Sequence, residues 1–167
     1  QLTDLNIPNS VIEIGNKAFA NCGKLNKIEI PKTIKKIGFG AFNGIEEIIC
    51  NDEFIYEDRC LYDKNKTKML VCNKKEEKIK IPEGLIEVYS IAFLHFPKSL
   101  IIPMSLKRDC LYDLICSDIR YIQVPNGFDE KFHMSSKKMG TEDVYIDDFG
   151  VLYSTDKTKL IHFSLKI

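Results

Sequence analysis

The residue types able to do chemistry are few in this chain, and they are scattered. Cysteine occurs at Cys22, Cys50, Cys60, Cys72, Cys110 and Cys116. No two form a Cys-x-x-Cys, and none has the Cys/His spacing of a zinc site. At this density they read as small buried apolar residues. His95, His133 and His162 each stand apart from any Cys/Asp/Glu cluster. A catalytic histidine needs convergent partners, so these read as surface or packed side chains. There is no phosphate-binding glycine loop, no Gly-x-Ser-x-Gly and no His-Glu-x-x-His. Asp129-Glu130, Glu142-Asp143 and Asp147-Asp148 carry oxygen ligands of the kind calcium takes. They lack the ligand spacing and glycine of a calcium loop, so solvated surface is the simpler reading. The expectation is no catalytic residue, no cofactor and no metal: not an enzyme.

What the sequence does contain is a repeat. Leu2-Thr3-Asp4-Leu5-Asn6-Ile7-Pro8 aligns with Leu25-Asn26-Lys27-Ile28-Glu29-Ile30-Pro31 at an offset of 23. The same offset takes Ile14-Gly15 to Ile37-Gly38, and Ala18-Phe19 to Ala41-Phe42. Ile79-Lys80-Ile81-Pro82 repeats the strand, and Ala92-Phe93 repeats the pair. The proline-to-alanine distance is 10 in all three copies. Weaker copies follow at Leu100–Pro103 and Ile119–Pro125, with prolines 21 and 22 apart. Periods of about 20–29 residues belong to leucine-rich repeats.

Each part of the repeat has a physical meaning. Leu-x-x-Leu-x-Ile-Pro alternates with period two, so it predicts a short strand with one buried face. The proline closes the strand where a ladder donor is no longer needed. Gly15 and Gly38 suit a sharp corner by tolerating positive φ, although Tyr89 fills the same slot at 79–93. The Ala-Phe pair predicts a short helical turn, with Phe19, Phe42 and Phe93 stacked in a file inside. At about 4.8 Å per strand, five or six coils make a parallel sheet about 25–30 Å long.

Pro31 and Pro82 are 51 apart, more than two periods, and the surplus has its own pattern. Cys60-Leu61-Tyr62…Leu70 aligns with Val151-Leu152-Tyr153…Ile161 at a constant offset of 91. Apolar ends flank a polar centre, which predicts a β-hairpin with an Asx-type turn at Asn65 or Asp156. Cys60 and Cys72 correspond to Val151 and Phe163. They are either apolar fillers or a cross-strand disulfide closing the hairpin. Asn65-Lys66-Thr67 is also a glycosylation acceptor pattern at the expected tip.

The combination of Leu-x-x-Ile-x-Ile-Pro with Ile-Gly and Ala-Phe resembles the BspA-like branch of leucine-rich repeats. The Leu-Tyr…Lys-Thr-Lys-Leu hairpin is similar to the insertion that interrupts those arrays, and Cys22 sits where that family often has cysteine. The resemblance implies an α/β repeat solenoid, mostly β and loop. Short parallel strands carry short helical turns on the back, interrupted by two β-hairpins. Repeats are expected near 2–24, 25–44, 45–78 (with a hairpin at 54–72), 79–97, 98–118 and 119–143, with a second hairpin at 144–163. Asp113-Leu114 stands where Ala-Phe is expected, and 127–140 carry no clear repeat. The resemblance further implies a bacterial or protozoan surface or secreted protein that adheres to host or microbial proteins. The rival reading is an intracellular or secreted scaffold for protein–protein contacts.

The strand-lined face is where such an array binds. The residue between the two buried strand positions forms an outward column: Asn6, Glu29, Lys80, Ile101 and Gln123, with Ile49 joining if three residues are deleted within Ile45–Cys50; the alternative register begins that strand at Ile48. Tyr62 and Tyr153 are repeated aromatics on the hairpins, placed either to bind or to pack the hairpin base. The column is chemically mixed, which points away from carbohydrate stacking or a phosphate chain. With 24 basic and 24 acidic residues the net charge is zero, against a general nucleic-acid or anionic-membrane binder. No apolar run approaches the ~18 residues that span a bilayer. Both ends run on apolar strands without polar caps, so the chain reads as a fragment of a longer array, prone to self-association through its ends.

Overall fold

From Ile28 onward the repeat strands drive their middle residue inward and turn its two neighbours outward, and this alternation organises everything downstream. The computed structural model describes residues 5–22, 24–115, 117–119, 121–123, 144–146, 151–154 and 160–163. In chain order the strands are β1 (Glu13–Ile14), β2 (Lys27–Glu29), β3 (Lys36–Ile37), β4 (Glu47–Ile49), β5 (Phe54–Glu57), β6 (Cys60–Asp63), β7 (Met69–Cys72), β8 (Lys78–Lys80) and β9 (Ser99–Ile101). Helix α1 (Arg108–Ile115) precedes β10 (Tyr121–Gln123), and β11 (Val144–Ile146), β12 (Val151–Ser154) and β13 (Leu160–Phe163) follow. The fold is a leucine-rich repeat, mostly strand and loop. The chain divides into two compact units, 1–75 with 87–95 and 76–86 with 96–167.

In the first unit β2 and β4 pair in parallel, as do β1 and β3. Ile28 and Ile48 point inward at 1% and 5% exposure. Fully burying such a side chain stabilises by roughly 1.5–3 kcal/mol. The prolines behave as their position demands. The amide of Ile30 donates to the Ile49 carbonyl at 2.8 Å, and Pro31, which has no amide, then ends the ladder. The Pro31 carbonyl accepts from Ile34 at 3.1 Å, opening a turn. Pro8, Pro82 and Pro103 accept in the same way from Val11, Leu85 and Leu106.

The glycine corner works differently from the expectation. Neither Gly15 nor Gly38 has a positive φ. Gly38 is needed for close approach, since a Cβ there would lie 2.4 Å from the Asn16 amide nitrogen. Gly15 has open space at that point. Positive φ is found instead at Gly40, where a Cβ would also meet the Ile91 carbonyl oxygen at 2.4 Å.

The two segments expected as hairpins are three-stranded meanders. β5 pairs with β6 and β6 with β7, all antiparallel. The turn joining β5 and β6 is Asp58-Arg59, with φ of 47° and 60°, the values of a tight hairpin turn. Such turns favour Asn-Gly, and without that signal β5 was not evident. At the next turn the tying side chain is Asp63 rather than Asn65: its carboxylate accepts from the Lys68 amide at 2.6 Å and the Thr67 hydroxyl at 2.7 Å. β11, β12 and β13 form the same antiparallel arrangement. Its ladder shifts register between Leu152 and Tyr153, as the first does between Leu61 and Tyr62, preserving the offset of 91.

The first meander also fills a gap in the back layer. Coils one and two join there through Lys17 to Phe39 and Phe19 to Ala41, amide to carbonyl. The next neighbour of coil two is β7: the Gly40 amide donates to the Leu70 carbonyl at 2.7 Å. The β6 ladder passes over Leu70 at its register shift, and on the edge away from β6 the strand β7 meets 87–94. Met69 donates to Glu87 at 2.9 Å and Leu94 to Cys72 at 3.0 Å. Thus β7 stands where the back of a coil is missing, which accounts for the long Pro31–Pro82 interval. Phe19 and Phe42 stack, with centroids 5.6 Å apart and planes at 8°. Phe93 does not continue that file, because β7 intervenes and Phe93 bridges Cys72.

The second unit holds β8, β9 and β10 in parallel, with β11 joining β10 antiparallel; the six-stranded order is β13-β12-β11-β10-β9-β8. β4 and β8 belong to separate sheets, so the strand ladder runs in two stretches rather than one. On the back of this unit α1 replaces the short turn seen elsewhere. Leu114, standing where phenylalanine is expected, is fully buried.

Candidate functional site

The outward column is built by register. In the first unit Glu29 lies directly opposite Ile49, which fixes β4 with Ile48 inward and Ile49 outward. Glu29 is exposed and Ile49 is 39% exposed. Asn6 is exposed as well, outside any strand. In the second unit Lys80, Ile101 and Gln123 are successive partners. Lys80 is exposed, while Ile101 and Gln123 are half-buried. Beneath them Ile79, Leu100 and Ile122 are at most 1% exposed. The column is therefore carried on a fully packed layer that leaves its backbone little freedom.

Charges beside the column are largely spent on their neighbours. Lys27 reaches Glu47 at 2.6 Å, directly across the ladder, and Lys36 reaches Glu13 at 2.6 Å in the same manner. Lys98 reaches Glu77 at 2.5 Å in the second unit. Exposed pairs like these stabilise weakly, about 0.2–1 kcal/mol each. Their value is in register: opposite charges one coil apart disfavour a slipped ladder. Lys80 meets only Glu83, at 3.9 Å on its own strand end.

Tyr62 leaves the candidate surface. It is 4% exposed and packed in the meander, where Cys60 and Leu61 on the two faces of β6 are also fully buried. Burial pushes its phenol up, with the Cys60 thiol adding to the shift. Tyr153 lies on β12 opposite Tyr145, and its side chain falls outside the described residues.

A second outward column was missed. The fourth residue after Pro8, Pro31, Pro82 and Pro103 is Ile12, Lys35, Ile86 and Lys107 in turn. Lys35 donates its amide to the Ile12 carbonyl at 2.9 Å, and Lys107 to the Ile86 carbonyl at 2.9 Å. Ile12 is 68% exposed and Ile86 37%, so each unit shows an isoleucine beside a lysine at this corner. The constant proline offset is the signal that finds them. Beside coil one an open apolar cleft of about 240 Å³ is lined by Leu5, Ile7, Val11, Ile14 and Phe19. One repeat later the equivalents Ile28, Ile30, Ile34, Ile37 and Phe42 are 4% exposed or less, covered by the coil before them.

Among the described residues the reactive groups do not assemble into a centre: no three His, Cys, Asp or Glu come together as metal ligands. His95 is exposed. His133, His162, Cys116 and the three acidic groups lie outside the residues whose side chains are described. Burial pushes the Cys50 thiol up to about 11, away from the thiolate a nucleophile needs. Cys60 is shifted in the same direction by its hydrogen bond to Cys72 and by burial. No helix among the described residues is long and apolar enough to cross a membrane.

Comparison with known proteins agrees with this architecture. No curated protein matches the chain. The crystal structure of a leucine rich cell surface protein from Faecalibacterium prausnitzii A2-165 is similar at 27% identity and a TM-score of 0.45. The likeness covers 59% of this chain and 29% of that one, so the chain spans less than a third of that protein's length. A family model described as a BspA type leucine rich repeat region matches residues 1–100 in six copies. With more than half of its length matched, the chain belongs to the BspA-type leucine-rich repeat family.

Proposed function

We propose that this chain is a non-enzymatic protein-binding module, acting in adhesion or recognition at a cell surface or after secretion. One observation carries the reading. Outward residues of successive strands stand in strict register above a buried layer, Glu29 with Ile49 and Lys80 with Ile101 and Gln123. Rigid, evenly spaced side chains lose little entropy on binding, which suits an extended protein surface. The mixture of acid, base, amide and isoleucine fits a protein partner better than a sugar or a nucleic acid. Membership of the family supports the same class of partner, and the surface location follows the family resemblance. Self-association through the open cleft of coil one belongs to the same proposal.

The test is a binding screen of the full chain against host matrix proteins and microbial surface proteins. It is repeated with Asn6, Glu29, Ile49, Lys80, Ile101 and Gln123 changed to alanine. Interface residues that carry binding cost more than about 1 kcal/mol each on truncation, so the multiple variant is expected to bind at least ~10-fold more weakly. Unchanged affinity for a captured partner would place the site elsewhere and reject the column.

A further inference from the structure

The first meander brings two cysteines together for which the binding face has no use. Cys60 on β6 and Cys72 on β7 are ladder partners, 12 residues apart in sequence. Their sulfurs are 3.3 Å apart, and both residues are fully buried. The Asn73 amide donates to the Arg59 carbonyl at 2.9 Å, which makes 59 and 73 the hydrogen-bonded pair. Cys60 and Cys72 are then the adjoining non-hydrogen-bonded pair, the kind whose side chains approach more closely. The frame around them is fixed on both edges: Cys60 pairs with Glu57 of β5, while on the far side of β7 the Cys72 carbonyl accepts from Leu94 and Cys72 bridges Phe93. Packing alone does not call for two thiols, because the equivalent partners in the second meander are Val151 and Phe163.

We infer that Cys60 and Cys72 are a redox modification site, joined by a cross-strand disulfide that locks β7 into the back layer. A bond of about 2.05 Å needs only a small rotation of the two side chains from their present separation. The oxidant is an external disulfide. The Cys60 thiolate attacks one of its sulfurs and expels the other half as a thiolate. The Cys72 thiolate then attacks the Cys60 sulfur of the mixed disulfide and expels the second half. The two protons lost by the cysteines leave with the two departing thiolates. The protein gives up two electrons and the external disulfide accepts them. Its hydrogen bond to Cys72 and burial hold the Cys60 thiol protonated in the closed meander, so exchange proceeds while β6 and β7 are separating or before they have paired. Once formed, the bond restricts the unfolded chain and holds the strand that substitutes for a coil. This inference stands apart from the proposed binding function and does not depend on it.

The full chain is unfolded and refolded in a mixture of oxidised and reduced glutathione, then quenched with acid. Its remaining thiols are blocked with N-ethylmaleimide in denaturant, and the products are mapped by mass. The expected result is a peptide linking Cys60 to Cys72, with neither residue carrying maleimide. The oxidised chain should also melt above the dithiothreitol-treated chain, and this difference should vanish in C60A/C72A. Should that variant fail to fold, the wild-type map decides alone. Maleimide on both Cys60 and Cys72 after refolding in excess oxidised glutathione would overturn the inference, as would a disulfide joining either to another cysteine.

Discussion

Replacing Phe42 with alanine should cost about 3–5 kcal/mol of folding stability, the largest loss of any single side chain here. Phe42 is completely buried and is the bulkiest side chain in the core to be so. Its ring stacks on Phe19, and an aromatic pair of this kind adds about 0.5–1.5 kcal/mol to burial alone. It lies among Ile28, Ile34, Ile45 and Val71 in one packed cluster, so the void left by truncation has no loop to collapse into it. Phe96 is the control, being 43% exposed, and F96A should fall within about 0.5 kcal/mol of wild type. Urea unfolding of the two variants measures both numbers. A cost for F42A below about 1 kcal/mol would mean that the coil interior is not packed as described.

The second large effect is expected at Asn73, a buried polar residue with 1% exposure. Its carbonyl oxygen accepts from the Gly44 amide at 3.0 Å. Its side-chain nitrogen donates to the Ile45 carbonyl at 2.9 Å and to the Phe42 carbonyl at 3.3 Å. One side chain thereby ties the residue after β7 to the turn that ends the back of coil two. In N73A the Ile45 carbonyl loses a buried partner and the Gly44 amide loses its acceptor. The expected cost is about 2–4 kcal/mol. N73D keeps the acceptor, loses both donors and buries a charge beside two carbonyls, so it should be no better than alanine. Thermal unfolding of N73A and N73D tests this. Recovery of wild-type stability in N73D would show that the donor bonds contribute little.

The repeat was legible because its signal is local and periodic. Alternation within Lys27-Ile28-Glu29 decides which residue is buried, and the offset of 23 then places its neighbour. The register of Ile49 came from the structure, where Ile48 lies opposite Ile28 and leaves Ile49 outward. Leu114 kept its slot because helix α1 offers the same buried position that a turn offers elsewhere. The features that escaped depend on contacts distant in sequence or on atypical local choices. Asp58-Arg59 adopts a turn that usually takes glycine, which hid β5. Gly38 is constrained by Asn16 of the preceding coil rather than by its own φ. The role of β7 rests on Gly40 and Glu87, which no period links to Leu70 and Met69. For the binding surface, the proline offset already contained Ile12 and Ile86, but burial was needed to show them facing water. Of the two roles open to Tyr62, its burial favours packing in the meander.

The central claim is that β7 takes the place of a coil's back between coil two and residues 87–94. Amide hydrogen exchange on the full chain tests it most directly. Gly40 donates its amide to Leu70, Met69 and Leu94 bond along the edge of β7 away from β6, and Glu87 donates to Thr67 just before the strand. Those four amides should be protected to the same degree as Gly38 and Ile30, which bond between ordinary coils, and all should open together. Exchange of the four at the rate of an unfolded peptide, while Gly38 and Ile30 stay protected, would contradict the account.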